Sequence, residues 1–186
     1  MTKQNSAALA GTPQGSIFRR LQMSMIGSYL RISPDQLTAL INQPALAAEL
    51  AYPDDGKFPE PPVSFDLDKS WHLIHFLLTG EAWGGEGPLA MVVLGGEALA
   101  DTDAGYGPFR YLRPDEVRAT ANALNSIDAS TLWSRFDADR AEAAEIYPGW
   151  TGEDLDRQYV CHHYEALRQF YNATCSDGGA LLLYIC

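Results

Sequence analysis

The sequence predicts an α+β fold in a single compact domain, with a small mixed sheet that contains the first and last strands and packs against several helices. Three observations carry this. An alternating apolar segment over 25–32 and an unbroken apolar run over 180–185 read as strands, whereas the long stretch between them is dominated by the helical period. The 186 residues are the length of one ordinary domain. No internal repeat or linker divides them.

Residues 1–16 are rich in Ser, Ala, Gly, Gln and Thr without an apolar period, so residues 1–22 are expected to form a loosely ordered extension to a domain spanning 23–186. In the segment 25–32, Ile26, Ser28, Leu30 and Ile32 share one face, expected to meet the core, and Met25, Gly27, Tyr29 and Arg31 the other. Ser33-Pro34-Asp35-Gln36 combines a hydroxyl cap, proline at the first helical position and glutamine at the third, which starts a helix over about 34–41. Asn42-Gln43-Pro44 repeats that chemistry before a second short helix bearing Leu46, Ala47 and Leu50. Pro53, Gly56, Pro59, Pro61 and Pro62 impose an extended loop over 53–62.

A helix over about 69–79 is the strongest local signal. Trp71, Ile74, His75 and Leu78 fall at i, i+3, i+4 and i+7, with Asp66 or Asp68 as cap and Gly80 as terminator. Glycines at 84, 85, 87, 95, 96, 105 and 107 restrict the next segment to turns and short regular pieces such as 89–94. A short strand over 109–112 precedes a helix from Pro114 to about Leu124. Asp128 and Asp137 are positioned to cap two further helices, and Tyr147-Pro148-Gly149 stops the second. The longest helix runs from about Asp154 to Ala173, and Asp177-Gly178-Gly179 turns the chain into the terminal strand 180–185.

The net charge of −11, from 24 acidic against 13 basic residues, opposes binding to a phosphate backbone and excludes nucleic acid as the expected ligand. It suits a basic protein partner. The basic residues of 1–32 (Lys3, Arg19, Arg20 and Arg31) have no acid among them, so the body is more acidic than the whole. Three cysteines without paired spacing give no disulfide framework, and no apolar run reaches the roughly 18 residues a membrane span needs. A cytoplasmic location without membrane contact is therefore expected.

Motifs that carry chemistry are incomplete. His72 and His75 have a spacing that can reach one metal, but no H-E-x-x-H pattern surrounds them, and His75 sits on the apolar stripe. Cys161, His162 and His163 are adjacent soft and borderline ligands, yet Cys161 and His163 diverge on a helix. Neither a metal nor a cofactor is expected. Asp66, Asp68 and Lys69 stand where acid–base chemistry or helix capping would each use them. The glycine-rich stretches match no phosphate-loop pattern, and Trp83, Tyr106 and Trp150 beside them suit a binding edge.

Several segments together point to a family: Met23-Ser24-Met25-Ile26-Gly27, Asp66 through Gly80, Val93-Leu94-Gly95-Gly96, Gly105-Tyr106-Gly107-Pro108 with Arg110-Tyr111-Leu112, and Ile146-Tyr147-Pro148. In this order they resemble the YfbM-like family, bacterial proteins of unknown function. The resemblance spans about Met23 to the C-terminus and implies a compact α+β fold. It supplies no catalytic residue. Arg113 departs from it, since threonine is usual before the Pro-Asp-Glu helix start. The resemblance directs attention to Asp68, Lys69, Trp71, His75, Tyr106 and Arg110 as a candidate ligand or interaction groove. The expected role is a non-enzymatic binding protein for a basic partner, of which an immunity-type protein is one form. The alternative is a small-molecule enzyme using the neighbourhood of Asp68, Lys69 and His75.

Overall fold

The computed structural model describes residues 24–53 and 62–186. The expected extension over 1–22, and all but the ends of the loop expected over 53–62, lie outside the described residues. Strand β1 (Gly27–Ile32) leads into α1 (Pro34–Asn42). The helix starts as its cap chemistry requires: Gln36 N–H donates to Ser33 Oγ at 3.1 Å, and Ser33 N–H donates to Gln36 Oε1 at 2.8 Å. Helix α2 (Leu46–Ala51) follows, then strand β2 (Ser64–Asp66). A 3-10 turn (Asp68–Ser70) opens α3 (Trp71–Thr79), which ends at Gly80, whose left-handed backbone (φ 81°) directs its N–H to Phe76 O.

Strands β3 (Glu97–Ala98) and β4 (Arg110–Leu112) precede α4 (Pro114–Asn125), α5 (Ala129–Trp133), α6 (Ala138–Ala143), α7 (Asp154–Ser176) and β5 (Ala180–Ile185). Asp128 and Asp137 cap α5 and α6, accepting from Thr131 N–H at 2.6 Å and Arg140 N–H at 3.0 Å. Arg113 precedes α4 without capping it, because a guanidinium has no acceptor. Half of a capping box survives as Arg113 N–H to Glu116 Oε2 at 2.8 Å. The Arg113 side chain lies over the Tyr111 ring and reaches Glu97 at 3.1 Å.

The sheet order is β2-β1-β5-β4-β3. Every pairing is antiparallel, so the expected mixed pairing is corrected to an antiparallel one, while the first and last strands do lie side by side in the sheet. Side-chain pattern reports burial but not strand direction, which depends on how the intervening helices return the chain. Strands β2 and β3 have no counterpart in the sequence reading, since three and two residues are too few for an alternation to show.

Both faces of the sheet are covered. Tyr29, Leu112, Leu181 and Leu183 meet the main core with α3, α4, α5 and α7. Leu30, Ile32, Tyr111, Ala180 and Leu182 meet Leu37, Leu40, Ala47 and Leu50 of α1 and α2. The continuous apolar run of β5 follows from this double burial at the centre of the sheet. The expectation that only the Leu30 face of β1 would be buried is corrected. Tyr29 belongs to the larger core, and its hydroxyl, like that of Tyr171, donates to Val92 O, at 3.0 and 2.9 Å respectively. β1 also carries a steric requirement. A Cβ at Gly27 would stand 2.6 Å from Trp71 Cβ, so glycine is what allows α3 to lie against the strand.

Candidate functional site

The polar residues at the start of α3 are built into a bridge to α7. Asp66 Oδ1 accepts from Asp68 N–H at 3.0 Å, a local turn that leads into the 3-10 segment without capping it. The expected capping by Asp66 or Asp68 is corrected: neither the 3-10 turn nor α3 has a side-chain cap, and Asp68 bonds elsewhere. Its backbone takes a left-handed conformation (φ 46°), and its Oδ2 accepts instead from the Tyr159 hydroxyl at 2.8 Å. That hydroxyl accepts from Lys69 N–H at 3.2 Å. The donor and acceptor capacities of the phenol are thus matched to the carboxylate and the peptide. Burial, then the neighbouring Asp68 carboxylate, pushes the Tyr159 phenol up to about 12, so it stays protonated and holds the bridge. His163 packs on the Tyr159 ring at 4.4 Å, and burial followed by the adjacent His162 lowers its pKa against the pull of Asp68 and Asp66.

One turn further on, α3 enters the core. Trp71 is 1% exposed, and its indole N–H donates to Met25 O at 3.0 Å. Tyr147 N–H donates to His72 Nδ1 at 3.0 Å, which fixes the proton on Nε2, and Nε2–H then donates to Ala82 O at 2.9 Å. Both nitrogens being engaged, His72 has no lone pair for a metal. Its ring stacks against Trp71 at 4.7 Å and meets Trp83 at 4.6 Å. His75 is fully buried, and neither ring nitrogen has a hydrogen-bond partner. Burial and then the neighbouring His72 lower its pKa to about 4; the Gly84 backbone opposes this weakly without reaching hydrogen-bond geometry.

Tyr106 and Arg110 stand at the far end of the sheet. With Trp83, Gly84 and Tyr184 they line a recess of about 250 Å³. Arg110 Nε and Nη2 donate to the carbonyls of Gly95 and Gly96 at 3.0 and 2.8 Å, bracing that glycine pair. The six candidate residues therefore divide into three places: Asp68 and Lys69 at the bridge to α7, Trp71 and His75 in the core, Tyr106 and Arg110 at the recess.

A larger opening lies elsewhere. The groove between α6 and the turn Tyr147–Thr151 has a volume of about 790 Å³, within the range of ligand sites. Met25, Ala141, Ile146, Tyr147 and Trp150 supply apolar lining, Glu142 and Glu145 the charge, and among the described residues no basic one lines it. Of this lining the sequence marks Trp150 alone as suited to a binding edge. Glu142 and Glu145 gave no signal, because two acids on a short helix look like any solvated face. Glu145 also has a left-handed backbone (φ 53°), a conformation sequence does not reveal in a non-glycine residue.

Cys161 and His163 do not converge: the thiol contacts Ala129 O at 3.6 Å, whereas His163 faces Tyr159. Among the described residues no group of three or more His, Cys, Asp or Glu side chains could hold a metal ion, and no helix is long and apolar enough to cross a membrane.

Comparison with known proteins agrees with this architecture. The family model for "Domain of unknown function (DUF1877)" matches residues 23–184. Protein YfbM of Escherichia coli (strain K12) is 36% identical over 97 residues, which cover 50% of this chain and 57% of that relative, little more than half its length. The crystal structure of YfbM from Escherichia coli, described as a protein of unknown function, matches with a TM-score of 0.68 at 25% identity. It covers 87% of this chain and 99% of that one. The chain belongs to the YfbM-like family, the domain of unknown function DUF1877.

Proposed function

We propose that this chain is a non-enzymatic binding protein that receives a cationic, partly apolar segment of a basic partner protein in the groove between α6 and the Tyr147–Thr151 turn. The observation that carries this reading is the groove's lining, an apolar floor rimmed by Glu142 and Glu145 with no basic side chain among the described residues that line it. Arg140, the nearest cation in sequence, is turned away over the Phe76 ring. A chain of net charge −11 adds a long-range field of the same sign, which steers a basic partner toward the groove. An immunity-type role against a basic protein is one form of this function. Three free cysteines are in keeping with a reducing, cytoplasmic setting.

The enzymatic alternative needs Asp68, Lys69 and His75 to act on one substrate. His75 is sealed in the core and Asp68 is occupied by Tyr159, which favours the binding reading. The test is titration with a synthetic amphipathic leucine–lysine peptide, followed by tryptophan fluorescence, with a leucine–glutamate peptide as control. Saturable, salt-weakened binding of the lysine peptide that falls at least about tenfold in a Glu142→Lys/Glu145→Lys variant is expected. Equal binding by the variant, or none by the wild type, overturns the reading.

A further inference from the structure

The recess at the β4–β5 end has the opposite character to the acidic groove. Arg110 is half-buried there, and Leu183 is its register partner, so it extends from the face of the sheet that carries the main core. A guanidinium has five N–H donors. Two go to the Gly95 and Gly96 carbonyls, which leaves three and fixes the plane of the group. Among the described residues no carboxylate lies within ion-pair distance of Arg110, whereas Arg31 and Arg168, the other partly buried arginines, each have one. A strongly acidic protein thus holds an oriented, half-buried cation that has no counter-charge among the described residues. Bracing the glycine pair accounts for two of its donors and leaves the charge unanswered.

The recess wall supplies the second element. Trp83 is 63% exposed, unusual for an indole, and it stands beside Arg110 with Gly84, whose positive φ of 72° brings bare backbone to the wall. The indole is held from behind, because its ring meets those of His72 at 4.6 Å and Trp71 at 6.0 Å. His72 in turn anchors the Trp83 loop through Ala82 O. A rigid aromatic plate next to an oriented guanidinium recognises a flat ring joined to an anion.

We propose that this recess is a binding site for a small aromatic carboxylate, with Arg110 as the anchor of the carboxylate and Trp83 as the platform for the ring. The volume of about 250 Å³ lies just below the usual range for drug-sized ligands and suits a single or fused ring. The acidic body selects a monoanion over a phosphate dianion, whose repulsion by the net charge of −11 is about twice as large. The site is independent of the acidic groove and of the basic-partner reading.

The experiment is a titration of the full chain with benzoate, indole-3-carboxylate, phenyl phosphate and neutral benzyl alcohol, observed at the tryptophan indole resonances by nuclear magnetic resonance. Benzoate or indole-3-carboxylate is expected to shift the Trp83 resonance, assigned through Trp83→Phe, saturably at or below about 10 mM, and benzyl alcohol is not. Arg110→Gln should weaken the carboxylate by about tenfold or more, the loss of a charge-assisted pair. Trp83→Ala, whose affinity is read from the ligand's own resonances, should weaken it about two- to tenfold, and because the side chain is mostly exposed this variant stays folded should Arg110→Gln not. The absence of a saturable shift, equal binding of benzyl alcohol, tighter binding of phenyl phosphate, or unchanged affinity in Trp83→Ala each overturns the assignment.

Discussion

The segment Asp66 to Thr79 reads as one motif but contains two regions with opposite physical characters. In the first, Asp68 adopts a strained left-handed backbone, yet its carboxylate is bonded and its neighbour's peptide is satisfied through Tyr159. In the second, His75 lies in relaxed helix and is fully buried, yet both ring nitrogens are orphaned. Strain and unsatisfied polarity are thus separated along the chain by two helical turns. Backbone strain is tolerable where tertiary hydrogen bonds hold it, and an orphaned imidazole is tolerable where it can remain neutral. Trp71 sits at the junction of the two.

The most direct way to break this arrangement is to move Trp71. Gly27→Ala places a methyl against its Cβ, and an overpacked α3–β1 contact should cost about 3 kcal/mol in denaturant unfolding. A stability unchanged by this substitution would show that α3 can slide and that the junction is not rigid.

The buried half should be acid-sensitive. His75 titrates at about 4 in the folded chain against 6.5 for the free side chain, and burial lowers His72 as well. Between these values the unfolded chain binds more protons, so stability is complete above pH 6.5 and falls as pH drops toward 4. His75 alone contributes up to about 3 kcal/mol to that loss. His75→Leu should flatten the dependence in this window and, by removing an orphaned polar group, raise stability at pH 7 by about 1 kcal/mol. A His75→Leu chain with an unaltered pH profile between 6.5 and 4 would place the titration elsewhere.

The bridged half should respond less. Tyr159→Phe removes the donor to Asp68 and the acceptor of Lys69 N–H, but both groups are partly exposed and water can replace the phenol, so about 1 kcal/mol is expected in thermal unfolding. Asp68→Asn should change stability least, by about 0.5 kcal/mol or less, since asparagine accepts the left-handed backbone and keeps an oxygen for Tyr159. A large loss in Asp68→Asn, with Tyr159→Phe near neutral, would mean that the negative charge itself matters there.

Legibility in the sequence followed the range of the interaction. The starts of α1, α5 and α6 and the end of α3 were readable because the cap and the backbone group it satisfies lie within one helical turn. β5 was readable because a central strand buried on both faces has an unbroken apolar run. The role of Asp68 was not, because a carboxylate before a helix looks like a cap until Tyr159, 91 residues away, is in place. Tyr106 stands out beside glycine-rich loops and Arg110 through the family resemblance, and their recess depends on Trp83 and Tyr184 arriving from other segments. The acidic groove was hidden for the same reason, as Met25 and Trp150 reach it from distant parts of the chain.

By itself the sequence determined the α+β class, most helix boundaries, the two central strands and the identity of α3 as a core helix, all of which follow from local caps and hydrophobic period. The tertiary structure decided strand direction, the burial of both faces of β1, the partner of Asp68, the isolation of His75 and the two recesses of opposite charge. The physical reason is common to these. Caps and periodicity are satisfied within a few residues, whereas a hydrogen-bond partner or a cavity wall is supplied by whichever distant segment the packing of apolar faces brings alongside.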